Sequence, residues 1–296
     1  MIIIGLSFLT YLLMYISPGD PALKKLNAQG ISVSEETLEA AREEMGLNEP
    51  FLVRYAQWLG NALTGDLGTS YKDGLPVADK LVHALRYTLI LSVGSLAVSL
   101  IAALPLSVIS AVRKDGLLDN VVRFLSFIGN SLPNFLISVL LMYFFCIRTK
   151  LLPVIAEENL KGLIMPCLAL AIPMCSRFIR QFRAEILEQL GRDYVLGARA
   201  RGVNSLTILF KNVLHNAMIP ILTIIALSVG TLLGGSVVVE TIFRWPGLGK
   251  LVMDSISVRD YPVIQGFVIF TSCVYVLINL AADICYRRLD PRVEEM

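Results

Sequence analysis

The chain has 296 residues, of which 55% are hydrophobic and only 17% are charged, and its mean hydropathy is +0.66. Soluble domains carry about 25% charged residues, so this deficit argues against an ordinary soluble domain and points to a bilayer. The net charge of +2 gives no reason to expect nucleic acid as a partner, and what informs is where the charges lie.

In chain order, the first apolar run is Ile2–Ile16, which stops at Ser17-Pro18-Gly19. At about 15 residues, or roughly 22 Å of helix, it is short for a hydrocarbon core of ~30 Å. Either tilt and bilayer thinning complete the span, or residues upstream belong to it. A secretory signal fits poorly, because no basic stretch precedes the run and no A-x-A-like site precedes Pro18.

Residues 18–84 read as an extracytoplasmic helical segment, more acidic than basic. Ser32-Val33-Ser34-Glu35 reads as a capping box opening a helix that runs through Met45 and stops at Gly46. A second amphipathic stretch, Phe51–Leu63, carries Arg54, Tyr55, Trp58 and Leu59. Together they suggest a packed cap, for which a lid without specific ligand contacts is the plainer reading than a binding site.

Residues 85–286 hold five further apolar stretches, at 85–112, 121–145, 162–178, 213–239 and 263–286, and residues 287–296 form a tail. With the first run this makes an all-α integral membrane protein of about six transmembrane helices. Arg113, Lys114 and Arg123 flank one turn, and Arg177, Arg180, Arg183, Arg192, Arg199, Arg201 and Lys211 crowd a second segment. Arg287, Arg288 and Arg292 follow the last span. The positive-inside rule puts all three regions, and both termini, in the cytoplasm.

Polar groups inside the spans need partners or a wet cavity. Asn130, Ser131 and Asn134 surround Pro133 in the third span, and Ser236 and Glu240 lie in the fifth; these are the candidates for a translocation path. Interhelical hydrogen bonds suit the asparagines equally well, and Glu240, near the outer interface, either gates or is simply hydrated. Gly230, Gly234 and Gly235 give the fifth span a small-xxx-small face suited to close helix packing. In the last span Asp283 pairs with Arg287 at i+4 in preference to serving a proton relay.

Cys146, Cys167, Cys175, Cys273 and Cys285 all lie in or beside apolar runs without a CxxC pair, so they read as packing residues. No His, Cys and carboxylate cluster suggests a metal site. Gly247-Leu248-Gly249-Lys250 lacks the spacing of a phosphate loop, and neither HExxH nor GxSxG is present. The chain is therefore not read as an enzyme.

The most informative stretch lies between the fourth and fifth spans, in the coupling loop 184–212. Residues 185–190 and 193–201 are helix-compatible, joined at Gly191 and stopped at Gly202. Asp193-Tyr194 and Ala198-Arg199-Ala200-Arg201-Gly202 mix small and basic side chains, as a helix seated in a partner's groove or an ordinary basic loop against anionic headgroups does.

This loop resembles the EAA coupling loop of ABC-importer permeases. Leu196, Gly197 and Ala198 fall at the EAA positions, so the glutamate is absent, and His215 stands where a proline is usual. Those departures resemble the peptide/nickel branch, as do Asn212, His215-Asn216-Ala217 and Pro220. Ser17-Pro18-Gly19-Asp20-Pro21, Gly65-Asp66-Leu67-Gly68-Thr69-Ser70 and Ser131-Leu132-Pro133-Asn134-Phe135 add to the likeness. Trp245-Pro246-Gly247-Leu248-Gly249, Arg259-Asp260-Tyr261-Pro262 and Leu289-Asp290-Pro291-Arg292 complete it in the same order.

The resemblance implies the type I ABC-importer permease fold and a bacterial cytoplasmic-membrane location. It implies contact of Asp193, Tyr194, Ala198, Arg199, Ala200, Arg201 and Gly202 with a separate ATPase. Implied partners are a second homologous permease, two cytoplasmic ABC ATPases and an extracytoplasmic solute-binding protein. No cofactor is expected on this chain, because the partner subunits use the ATP. The expected activity is alternating-access import of nickel, free or chelated, or of di- and oligopeptides. A secondary transporter driven by an ion gradient is the alternative, and it calls for midplane charges and internal repeats that the spans do not offer.

Overall fold

The structure, a computed structural model, describes residues 2–17, 19–28, 33–156 and 158–289. The first helices are α1 (Ile2–Ile16), α2 (Pro21–Ala28), α3 (Glu35–Glu44), α4 (Phe51–Leu63), α5 (Val77–Val112) and α6 (Leu117–Ser131). Then come α7 (Asn134–Met142), which continues as a π-helical turn over Tyr143–Arg148, α8 (Leu160–Leu190) and α9 (Asp193–Ala200). The single turn α10 (Ser205–Thr207) leads through a π-helical turn (Ile208–Val213) into α11 (Leu214–Phe243), followed by α12 (Leu248–Val258) and α13 (Tyr261–Leu289).

Among the described residues, four helices are long and apolar enough to cross a membrane: Val77–Val112, Leu160–Leu190, Ser205–Gly230 and Tyr261–Leu280. A fifth span is made if α6 and the helix from Asn134 to Arg148 count as one, and α1 is apolar but short. The third stretch, expected as one span with its backbone ladder interrupted at Pro133, is bent there by 100°. The cause is local: Leu132, ahead of Pro133, is held extended at ψ 127°, as the proline ring disfavours helix in the residue before it.

The chain divides into two compact units, Met1–Thr88 with Pro246–Val276, and Leu89–Trp245 with Leu277–Met296. In the first, α1 lies on α4 through edge-to-face rings, Phe8 on Tyr55 at 5.2 Å and Tyr11 on Tyr55 at 5.4 Å. The Ser7 and Tyr55 hydroxyls share a buried hydrogen bond of 2.9 Å. The α3 N-cap is Ser34, whose hydroxyl accepts the Thr37 N–H in a reciprocal capping box. The box therefore opens two residues later than expected, and Ser32 lies outside the described residues. Gly46, at φ 63°, ends the helix: its own N–H reaches Glu43 O at 3.0 Å and the Leu47 N–H reaches Arg42 O at 2.9 Å.

The same unit has a core of Leu67, Val77, Leu81, Ala84, Leu248 and Val263. Here α13 comes so close to the start of α5 that a Cβ on Gly266 would sit 2.6 Å from Val77 Cγ1. A leucine at Gly266 is thus expected to overpack this core and lower stability by about 1–3 kcal/mol. Thermal unfolding in detergent checks it, and an unchanged midpoint would contradict the packing.

The second unit centres on α8, which packs against α6, α7 and α11. Its core includes Phe178, Phe182, Ile186, Val195, Ala198, Ile208, Val213 and Ile221. Within it α5 presents a stripe of buried small polar residues, Ser95, Ser99, Ser107 and Ser110. The hydroxyls of Ser95, Ser99 and Ser107 turn back onto the helix, as Ser95 does to Leu91 O at 2.7 Å, and Ser99 also reaches Ala171 O on α8 at 3.2 Å. Small side chains that satisfy themselves let helices approach where lipid supplies no hydrophobic drive. Gly129 marks a tight approach in this unit, where a Cβ would lie 2.2 Å from Ser176 Oγ.

Candidate functional site

The α8 helix continues past its apolar stretch to Leu190 and is closed by Gly191, whose N–H reaches the Leu187 and Glu188 carbonyls at 3.2 and 3.1 Å. After one turn α9 begins at Asp193. Apolar Val195 and Ala198, three residues apart, share a face, and both are buried in the core of the second unit. The helix ends in a Schellman motif: Gly202, at φ 75°, donates to Arg199 O at 2.9 Å, and Val203 donates to Ala198 O at 3.1 Å. That left-handed residue explains why glycine stands there.

The burial of one face decides what the other presents. Asp193, Arg199, Ala200, Arg201 and Gly202 are exposed, and no atom lies within 4 Å of where a Cβ on Gly202 would be. Two of the seven residues expected at a partner contact point elsewhere. Ala198 is a core residue, and Tyr194, half-buried, donates its hydroxyl to Gln189 Oε1 at 3.1 Å. In their place the exposed surface carries Leu196, Leu206 and Phe210, at 59%, 63% and 62% exposure. Their signal was the gap between the buried positions, which the sequence does not label as inner or outer.

A buried ion pair underpins this region. Arg183 of α8 grips Asp119 at the start of α6 with two hydrogen bonds, Nε to Oδ1 at 2.7 Å and Nη2 to Oδ2 at 2.6 Å. Asp119 is fully buried and also accepts the Asp115 N–H at 2.9 Å and the Ser110 hydroxyl. The α5–α6 turn is thereby tied to the helix that leads into α9. Sequence reading counted Arg183 only as one of many basic residues and missed Asp119.

The path candidates scatter. Asn130 and Ser131 are exposed, and Ser131 donates to Phe127 O at 2.8 Å. Asn134 is half-buried, its Nδ2 lying 3.7 Å from the Cβ position of Gly235. Ser236 and Glu240 are fully buried, so Glu240 is not hydrated as one expectation had it. Of the packing glycines, Gly230 is buried, whereas no atom lies within 4 Å of the Cβ position of Gly234. The expected Asp283–Arg287 pair and the Leu289-Asp290-Pro291-Arg292 motif concern side chains outside the described residues.

In the first unit, motifs far apart in sequence converge. Asp260 accepts the Ser70 hydroxyl and the Tyr71 N–H, the latter at 2.9 Å, across about 190 residues. Lys80 donates to Ser70 Oγ at 3.1 Å and to Asp73 at 2.6 Å. Burial pushes the Asp73 carboxyl up, but hydrogen bonds from the Lys80 ammonium and the Leu75 N–H help to outweigh it and hold it below the usual range. Gly19, at φ 120°, lies against the Arg259 guanidinium, which a Cβ there would strike at 1.9 Å. Among the described residues no three His, Cys, Asp or Glu side chains gather as a metal site.

Residues 103–295 match the family described as binding-protein-dependent transport system inner membrane component, and residues 1–92 match the corresponding N-terminal family. A probable peptide ABC transporter permease protein, y4tP of Sinorhizobium fredii, is 38% identical over 96% of this chain and 92% of its own length. The oligopeptide transport system permease protein AppB of Bacillus subtilis is 37% identical over 99% of this chain and 95% of its own. The nickel import system permease protein NikB of Staphylococcus aureus is 38% identical over 97% and 86%. Among solved structures, an inward-facing form of the MetNI methionine ABC transporter superposes with a TM-score of 0.59. It is 18% identical and covers 71% of this chain and 96% of that one, a likeness of fold alone.

Proposed function

The chain belongs to the family of binding-protein-dependent transport system inner membrane components, and from that premise we propose that it imports di- or oligopeptides, or nickel as the free or chelated ion. It is an integral membrane protein and the permease subunit of an ATP-driven importer; ATP hydrolysis belongs to a separate subunit. The proposed assembly pairs this chain with a second permease, two ATPases and a solute-binding protein in the cytoplasmic membrane of a bacterium. Both termini and α9 face the cytoplasm in this reading, and residues 18–84 face outward.

The observation that carries the coupling role is the two-sided α9. Val195 and Ala198 seat it in the core of the second unit, where α9 packs on the π-helical turn Ile208–Val213, while Leu196, Arg199, Ala200 and Arg201 are exposed, as are Leu206 and Phe210. Exposed apolar side chains together with exposed arginines suit a cleft on another protein better than they suit water. Motion of the ATPases would reach the spans through α8, which α9 follows after a single turn and which the Asp119–Arg183 pair braces. Nucleotide must then favour one arrangement of the assembly by several kcal/mol to shift it decisively. The open space over Gly234 suits a helix of the second permease.

A cysteine at Leu196 or Ala200 is expected to cross-link to the ATPase subunit in membranes, whereas one at Ala198 is not. Equal cross-linking from all three positions would count against the orientation of the helix. Uptake of labelled nickel and of a labelled dipeptide, with and without this chain, separates the solutes.

A further inference from the structure

The first unit holds a cavity of about 280 Å³ among α1, α3, α4, the 65–76 loop and the start of α13. That is the size of a site for a small ligand, or for one end of a larger one. Among the described residues its charged lining is Asp20, Arg42 and Arg54. Asp20 and Arg42 neutralise each other through hydrogen bonds of 2.6 and 2.8 Å. Arg54 enters none of the ion pairs of this unit among the described residues, which join Arg42 to Asp20 and Glu39, Lys80 to Asp73 and Lys250 to Asp254. It is half-buried and acts on the phenols of Tyr11 and Tyr71.

The rest of the wall supplies donors. Burial, partly offset by Arg54, pushes the Tyr71 phenol up to about 12, so it keeps its proton at any physiological pH. The Tyr261 hydroxyl is buried without a hydrogen-bond partner, a cost that an accepting occupant removes. Gln265, 7% exposed, adds an amide. One uncompensated guanidinium, two phenols and an amide match a single planar anion. The fork of the guanidinium takes a carboxylate in bidentate fashion, and one cation balances one carboxylate but not a phosphate dianion.

We propose that this cavity recognises the carboxylate of the transported solute, with Arg54 as the anchoring cation and Tyr71, Tyr261 and Gln265 as donors around it. The proposal rests on the importer reading and narrows it: a peptide C-terminus and an organic nickel chelate both carry this group, and a bare nickel ion does not. The cap thus offers a site to the solute itself, where a plain packed lid offers none.

The test is equilibrium binding of radiolabelled dialanine to the full chain in lipid nanodiscs. Dialanine is expected to bind saturably, with dialaninamide at least tenfold weaker as a competitor. Arg54→Gln should weaken binding at least tenfold, Arg54→Lys by a smaller factor because it keeps the charge and loses only the fork, and Tyr261→Phe by less than Arg54→Gln. Displacement of dialanine by a nickel–histidine chelate extends the carboxylate source to chelates, and its failure leaves the peptide terminus as the source. Equal competition by the amide, displacement by aqueous nickel alone, no saturable binding, or full binding by Arg54→Gln would each overturn the proposal. If membranes containing the whole transporter still import solute while no dialanine binds, this inference fails and the importer reading stands.

Discussion

Replacing Asp119 by Ala is expected to destabilise the second unit by about 3–5 kcal/mol, among the largest effects of any single substitution in this chain. The carboxylate is fully buried, and its loss strands the Arg183 guanidinium, whose side chain is 15% exposed, in a medium that cannot solvate it. It also leaves the Asp115 N–H and the Ser110 hydroxyl without their acceptor. The cost belongs to the unpaired charge rather than to the pair, so removing both partners should recover most of it. The double variant Asp119→Leu with Arg183→Met is expected to lie within about 1–2 kcal/mol of the native chain, because a buried pair contributes little net stability over apolar groups of similar volume. Denaturant titration in mixed micelles reads both. A single variant as stable as the native protein, or a double variant as unstable as the single one, would mean the pair does not brace the α5–α6 turn against α8.

The second large effect falls on transport and leaves folding intact. Leu196→Glu sits on an exposed position, where substitutions change stability by about 0.5 kcal/mol or less. ATP-driven uptake is nevertheless expected to fall at least tenfold, since a carboxylate would be desolvated at the proposed contact with the ATPase. Gly202 separates two causes of failure. An alanine there meets no atom, but it must hold φ near 75°, which costs about 1–2 kcal/mol and frays the end of α9. A tryptophan adds a bulky side chain to the surface proposed to meet the ATPase. Mild loss with Gly202→Ala and near-complete loss with Gly202→Trp would mark a docking surface. Equal loss with both would reduce Gly202 to a helix stop, and normal transport by a stably inserted Gly202→Trp would remove α9 from the coupling path.

These two sites differ in how far the amino-acid sequence reveals them. Gly202 was legible as a stop, because a left-handed residue after a helical run favours glycine whatever surrounds it. The break before Asn134 was legible in Pro133 for an equally local reason, though the 100° turn was not. The α4 bounds follow from amphipathic spacing alone, while the neighbouring α3 cap moved from Ser32 to Ser34 because both serines stand ahead of the same run. By contrast, Asp119 and Arg183 are 64 residues apart, and Ser70 and Asp260 are 190 apart. No spacing rule links such residues. Nor did the glycine pattern of α11 foretell that a tight approach in the second unit would fall on Gly129.

By itself, then, the sequence determined the apolar helices, their order, the stops and kinks between them, and the motif series that shared family membership explains. Those features are local: a backbone in lipid must satisfy its own hydrogen bonds, so every span has to be written as a continuous apolar run. Only the tertiary structure decided which face of α9 is buried and which stands free, which of many arginines is paired and which is left to a ligand, and which glycine lets two helices touch. In a chain whose helices are apolar on most sides, hydrophobicity no longer distinguishes inside from outside. The choice passes to shape and to the partnering of the few polar groups, and both depend on residues brought together from distant parts of the chain.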